Sequence, residues 1–165
     1  MTKYLLLLVA LLAIVGCNSS KKTNSGGGAA NHTTSMLVDG TQVIFDASIT
    51  TTTQTRVIEA FRFFKSEWSR NGNGPAPRIT RLKVRDLTLL AQGNAGYATW
   101  AANGGSTTEI EVVVFHSNFL NTPIPYLYHE MGHLALREET HTHANWPAWE
   151  NQQVAANNEW YRSGR

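Results

Sequence analysis

The chain has 165 residues, of which 42% are hydrophobic and 16% are charged, a length and composition that fit one globular domain. The formal net charge is +2, and removing residues 1–16, which contain Lys3, leaves 13 basic and 12 acidic residues, or +1. A balance this close to neutral lacks the basic excess of nucleic-acid-binding proteins, so no nucleic-acid partner is expected. The single cysteine, Cys17, excludes a disulfide within the chain.

The N-terminal residues have the pattern of an export signal. Lys3 precedes an unbroken apolar run over residues 4–15, which is shorter than the roughly 20 residues that a transmembrane helix needs. The segment IVGC, which ends at Cys17, resembles the lipobox of bacterial lipoproteins. The resemblance implies that residues 1–16 are a lipoprotein signal peptide and that Cys17 carries lipid, including palmitate.

A lipid on Cys17 would hold the protein stably on a membrane surface of the bacterial cell envelope. Residue 18 is Asn and not Asp, which by the same resemblance favours the outer membrane or the periplasmic face over the inner membrane. Residues 18–35 are almost entirely polar or glycine and predict a flexible tether. The chain therefore divides into a signal peptide (1–16), a lipidated cysteine with its tether (17–35) and a folded domain (36–165).

Alternation and turn signals predict the elements of the folded domain in chain order. Residues 36–48 predict a strand or a hairpin around Asp39-Gly40, and Thr51 with Gln54 predicts a capping box for a helix over 53–70. That helix has one apolar stripe, formed by Val57, Ile58, Phe61, Phe64 and Trp68. Further strands are expected at 78–90, 97–101 and 109–116, and further helices at 126–139 and 147–162.

The most informative stretch is YHEMGHLAL, residues 128–136, because it contains His-Glu-x-x-His. On a helix, His129 and His133 leave the same face one turn apart, so two neutral imidazole nitrogens can bind one zinc ion. Glu130 is placed beside them to take a proton from a zinc-bound water, which then attacks a polarised carbonyl. The apolar residues expected to turn this helix toward a core are Leu127, Met131, Leu134 and Ala135.

This stretch resembles the active helix of the zinc-dependent metallopeptidases called zincins. The resemblance implies an α+β domain with a mixed β-sheet, a backing helix, an active-site helix and a C-terminal helix. It implies hydrolysis of a peptide or protein substrate with one zinc ion per chain, bound by His129 and His133, with Glu130 as general base. It also implies that an extended substrate pairs with an edge strand before the active helix, which we assign to residues 109–116.

The third zinc ligand is less clear from the sequence. Metzincins have His-Glu-x-x-His-x-x-Gly-x-x-His, but here Leu136 replaces the glycine and Glu139 replaces the third histidine. Residues 134–139 favour a continued helix, so His141 or His143 would reach the metal only if the helix unwinds near residue 140.

Gluzincins instead take a glutamate from the following helix. By that resemblance, Glu150 is the provisional third ligand, with His141 or His143 as the alternative. The remaining candidates are Glu138, Glu139 and Glu159, or a site without a third protein ligand. Three tryptophans near this segment, Trp146, Trp149 and Trp160, are expected to close the domain over the active helix.

Two further roles stay open at this stage. Tyr126, Tyr128 and Tyr161 are candidates for stabilising the oxyanion, and His116 is expected to be solvent-exposed, with substrate contact as the alternative. The function predicted is peptide-bond hydrolysis by a membrane-tethered zinc metallopeptidase. The alternative is a non-catalytic lipoprotein that uses a zincin scaffold to bind a peptide or an envelope partner, although such a module has no use for a base at Glu130.

Overall fold

The computed structural model describes residues 33–86, 96–101, 106–116, 119 and 121–164. The predicted signal peptide, Cys17 and most of the predicted tether lie outside these residues. The elements are β1 (Thr34–Val38), β2 (Thr41–Phe45), α1 (Thr51–Arg70), β3 (Arg81–Arg85), β4 (Gly96–Trp100), β5 (Thr108–Val113), α2 (Leu127–Leu136) and α3 (Trp146–Arg162). Within the described ranges, each helix is too short or too polar to cross a membrane. The expected α+β class with a mixed sheet and three helices is confirmed.

The five strands form one sheet in the order β1-β2-β3-β5-β4. β2, β3 and β5 run parallel, whereas β1 pairs antiparallel with β2 and β4 antiparallel with β5. The assignment of residues 109–116 as the edge strand is wrong, because β5 lies between β3 and β4. Among the described strands, β4 ends the sheet on this side, and it pairs with β5 with Gly96 opposite Val112 and Trp100 opposite Thr108.

The predicted hairpin at the start of the domain is confirmed. Asp39 and Gly40 both have positive φ, at 50° and 78°, as the two central residues of a tight turn matched to the twist of a hairpin require. β1 begins at Thr34, two residues inside the segment expected to be tether.

One face of the sheet and the three helices enclose the apolar core. Alternate strand residues are fully buried, and α1 contributes its predicted stripe to the same cluster. The strand residues in this set are Val43, Phe45, Leu82, Val84, Ile110 and Val112. On the opposite face, Glu109 accepts bonds from Arg81 and Lys83, and Arg85 binds both Asp46 and Glu111. The sheet thus directs its apolar side toward the helices and its charges outward.

The start of α1 differs from the predicted capping box. The N-cap is Thr50, whose hydroxyl accepts a bond from the Thr53 amide at 3.3 Å. Gln54 is buried and donates its amide to the Ile49 carbonyl at 2.9 Å. Because Gln54 points into the domain to satisfy that carbonyl, it does not return to the N-cap amide, and the capping-box assignment is wrong.

A polar network joins the three helices on the side away from the sheet edge. Asn73, just after α1, donates to the Tyr128 hydroxyl and to the Gln152 side-chain carbonyl, both at 2.8 Å. Tyr128 also donates to Gln152, and the Trp149 indole donates to the Asn73 side-chain carbonyl at 3.1 Å. These bonds tie α2 to α1 and α3, so α2 has a fixed position in the domain.

Candidate metal centre

Helix α2 is buried along most of its length, with every residue from Leu127 to Leu134 inside the domain. Leu127, Met131 and Leu134 reach the core as expected, whereas Ala135 is exposed. Gly132 allows the close approach of α3, because a Cβ there would lie 2.9 Å from a carbon of Trp149 and 3.0 Å from one of Trp146. Any larger residue would force the two helices apart.

Three histidines converge at one point beside this helix. The Nε2 atom of His133 lies 3.2 Å from the Nε2 atom of His129 and 3.2 Å from that of His141. All three ligand atoms lie within 4.8 Å of one another, close enough to hold a metal ion. The structure therefore brings together the predicted pair and His141, which comes from the loop between α2 and α3.

The path to His141 depends on where α2 ends. The expectation that residues 134–139 continue the helix is wrong: α2 stops at Leu136, and Arg137 adopts a left-handed conformation with φ 54° and ψ 43°. The amides of Arg137 and Glu138 both donate to the His133 carbonyl, which closes the helix end. The reversal expected of a glycine is made here by an arginine, and it returns the chain toward the Nε2 atoms of His129 and His133.

The end of the helix also orients the ring of His133. Its Nδ1 atom lies 2.8 Å from the Glu138 carbonyl oxygen, which can only accept, so Nδ1 carries the hydrogen. In the neutral ring, the lone pair is then on Nε2, the atom that faces the other two histidines. A hydrogen bond of this kind from the far nitrogen is the usual way that proteins orient a metal-binding imidazole.

Burial keeps the helical pair of imidazoles neutral. It lowers the pKa of His129 to about 3, with smaller contributions from the neighbouring His133 and His141. Burial also lowers the pKa of His133, although its bond to the Glu138 carbonyl acts in the opposite direction. Neutral imidazoles are the form that binds a metal, so little proton competition is expected near neutral pH.

Glu130 lies under the sheet edge in a fully buried position. Its Oε1 atom has no hydrogen-bond partner within the described part of the chain, and burial raises the pKa of its carboxyl to about 8. A Cβ on Gly96 of β4 would come within 2.7 Å of that oxygen, so the carboxyl occupies space that only glycine leaves. Glu130 and His133 both line a cavity of about 10 Å³, roughly the space of one water.

Glu150 does not join the three histidines. It is exposed on α3, and since that helix begins at Trp146, it lies past the first turn. His143 is exposed as well, and its ring stacks on Trp149 at 6.5 Å. Of the other candidates, Glu139 and Glu159 are exposed and Glu138 contributes its backbone carbonyl to His133. Among the described residues, the third position beside the pair thus belongs to the alternative His141 and not to the provisional Glu150.

The candidate oxyanion donors lie in different surroundings. Tyr128 is bound to Asn71, Asn73 and Gln152 on the far side of α2, and Tyr161 is exposed near the end of α3. Tyr126 alone of the three is near the histidines, with its ring 6.5 Å from that of His129. His116 is half-buried with its ring 5.0 Å from Tyr126, so the expectation of an exposed side chain is wrong.

Two residues that shape the site, Gly96 and Arg137, are not predicted from the sequence. A glycine inside a strand can mark a close approach by another group, which is a usable signal for Gly96. Nothing in the sequence marks Arg137, because arginine is a good helix former and rarely adopts positive φ.

The turn can be tested by replacing Arg137 with glycine and with alanine. Glycine adopts the left-handed conformation without steric cost, so Arg137→Gly should be about 1 kcal/mol more stable than Arg137→Ala. Urea unfolding followed by circular dichroism measures the difference. Equal free energies of unfolding would contradict a left-handed residue at this position.

No family model matches the chain, and comparison with curated proteins and with solved structures gave no match either.

Proposed function

We propose that the protein is a zinc-dependent metallopeptidase that cuts peptides at the surface of the bacterial envelope. The observation that carries the proposal is the convergence of His129, His133 and His141, together with the buried Glu130, which lines the same small cavity as His133. Three imidazoles and an adjacent carboxylic acid are the parts that hydrolysis by a zinc site needs.

Two of the three nitrogen separations match those of a tetrahedral zinc site. Zinc binds histidine nitrogens at about 2.0–2.1 Å, and tetrahedral geometry then separates neighbouring ligands by about 3.3 Å. The two Nε2 separations at His133 are both 3.2 Å, and all three ligand atoms lie within 4.8 Å of one another. Three protein ligands leave one coordination position open, which is the arrangement of catalytic zinc sites and not of structural ones.

Glu130 has the position and the chemistry of a general base. A zinc ion held by the three histidines would make water nucleophilic near neutral pH and polarise a substrate carbonyl. Glu130 lines the same small cavity as His133, and beside a divalent cation its carboxyl is favoured in the ionised form that accepts a proton. It then passes that proton to the leaving amine.

The edge strand supplies a place for an extended peptide. β4 is the last of the described strands on its side of the sheet, packs against α2, and contributes Gly96, Tyr97, Ala98 and Trp100 to the walls of the Glu130 cavity. The backbone of an edge strand can pair with an incoming strand, so we assign substrate pairing to β4 in place of residues 109–116.

The zinc site is tested by metal analysis of the purified full-length chain. The wild type should bind about one zinc ion per chain, and His141→Ala should weaken zinc binding by more than about 100-fold, because changes outside the ligand shell alone cost about 10- to 100-fold. Competition with a chromogenic chelator measures the affinity.

Glu150→Ala and His143→Ala are the matched controls, and both should bind zinc like the wild type. A loss in Glu150→Ala without a loss in His141→Ala would assign the third ligand to the glutamate. A wild type without zinc affinity would refute the metallopeptidase proposal.

Glu130→Gln separates catalysis from binding. It should keep zinc, because the histidines are unchanged, and lower peptide hydrolysis by about 10²- to 10⁴-fold through the loss of a general base. Cleavage of a quenched-fluorescence peptide library gives the rate, with the exposed Glu59→Gln on α1 as control. If wild type and Glu130→Gln both bind peptide and neither cuts it, the protein is a binding module.

The location is tested through Cys17. A bacterial host fed an alkyne analogue of palmitate should label the wild type and Ser19→Ala, whereas Cys17→Ser should remain unlabelled, because the lipobox cysteine is the residue that carries the lipid in bacterial lipoproteins. Fractionation of the same cells should find Cys17→Ser outside the membrane fraction. Labelled Cys17→Ser would show that the lipid, if any, is attached elsewhere.

A further inference from the structure

We infer that Trp146 is a positioning residue for the metal centre, and that it holds His141 in place to complete the three-nitrogen set. This inference rests on the proposed function, since it concerns the same metal site. The observation behind it is that one indole contacts all three imidazoles.

The indole of Trp146 lies at similar short distances from all three imidazole rings. Its ring centroid lies 5.0 Å from that of His129, 4.6 Å from that of His133 and 4.5 Å from that of His141. The side chain is 2% exposed. The indole therefore forms an inner wall on which the three imidazole rings rest, and its rigidity limits how far each ring can turn.

The three histidines differ in how much they need that wall. His129 and His133 are carried by the buried helix α2, and His133 is further held by its bond to the Glu138 carbonyl. His141 is an exposed residue of the loop that follows Arg137. Apart from its nitrogen contact with His133, the described interactions of its ring are with the other two histidines and Trp146. A loop residue has more conformational freedom to lose than a helical one, so His141 is the ligand that depends on the indole.

Trp146 is itself held in place from its other side. The indole packs against Gly132 of α2, where a Cβ would come within 3.0 Å of it, and against the ring of Trp149 at 5.4 Å. The Trp146 amide also donates to the His143 carbonyl, which closes the loop onto the start of α3. A rotation of Trp146 is therefore opposed by a glycine surface and a second indole, and the support under His141 is rigid.

The test is a double-mutant cycle on zinc affinity in the full-length chain. Trp146→Leu should weaken zinc binding by about 10- to 100-fold, as changes outside the ligand shell usually do. In the His141→Ala background, the same substitution should change affinity by less than about threefold, because the ligand it positions is already absent. Trp160→Leu removes an equally buried indole that packs on Phe63, and it should leave zinc affinity unchanged in both backgrounds.

Cobalt provides a readout that general destabilisation does not move. Loaded with Co²⁺, Trp146→Leu should show visible absorption bands shifted from those of the wild type toward those of His141→Ala, whereas Trp160→Leu should show those of the wild type. If Trp146→Leu does not fold, Trp146→Phe replaces it. The smaller ring contacts fewer imidazoles, so Trp146→Phe should lower zinc affinity by about three- to tenfold. In the His141→Ala background, the same substitution should leave zinc affinity unchanged.

The inference would be overturned if the losses of zinc affinity from the Trp146 substitution and from His141→Ala multiply in the double mutant. It would also be overturned if the folded Trp146 variant has the zinc affinity and cobalt spectrum of the wild type. If the wild type binds zinc, either result overturns only the role of Trp146, and the proposed metallopeptidase function stands. Absence of zinc binding in the wild type would instead remove the proposed function.

Discussion

The site depends on how tightly α2 is packed between its neighbours. On one side, Gly132 lets the indoles of Trp146 and Trp149 come within 3.0 Å of where a Cβ would lie, and on the other, Gly96 makes room for the Glu130 carboxyl. Both contacts place α2 against closely packed surfaces, where little movement is tolerated. Because α2 is enclosed in this way, the directions of His129, His133 and Glu130 are settled by packing before any ligand arrives.

Burial on this scale has an electrostatic consequence. A carboxyl and two imidazoles removed from water favour their neutral forms, which is why the pKa of Glu130 is raised to about 8 and that of His129 lowered to about 3. An isolated buried carboxylate is costly unless a cation or hydrogen-bond donors compensate it. The same burial suits a site that holds a cation, because neutral nitrogens supply lone pairs and a nearby divalent charge stabilises the carboxylate.

Much of the fold could be predicted from the sequence because it follows from local residue patterns. The hairpin at Asp39-Gly40, the apolar stripe of α1 and the helix after Pro147 follow from neighbouring residues, and each is present in the structure. The order of the strands depends on distant pairing. Residues 109–116 are predicted as the edge strand, yet β4 pairs outside β5 and packs against α2.

The sequence by itself determined the helical pair: His129 and His133, with Glu130 between them, meet because a helix repeats every 3.6 residues. Only the tertiary structure decided the third position. His141 lies eight residues beyond His133, and its approach requires a left-handed Arg137 together with the wall made by Trp146. Glu150 is the provisional third ligand by family resemblance and His141 one of the alternatives, but α3 turns Glu150 to solvent. A positive φ at an arginine and a contact between two helices are set by packing of the whole domain, and no short stretch of sequence records them.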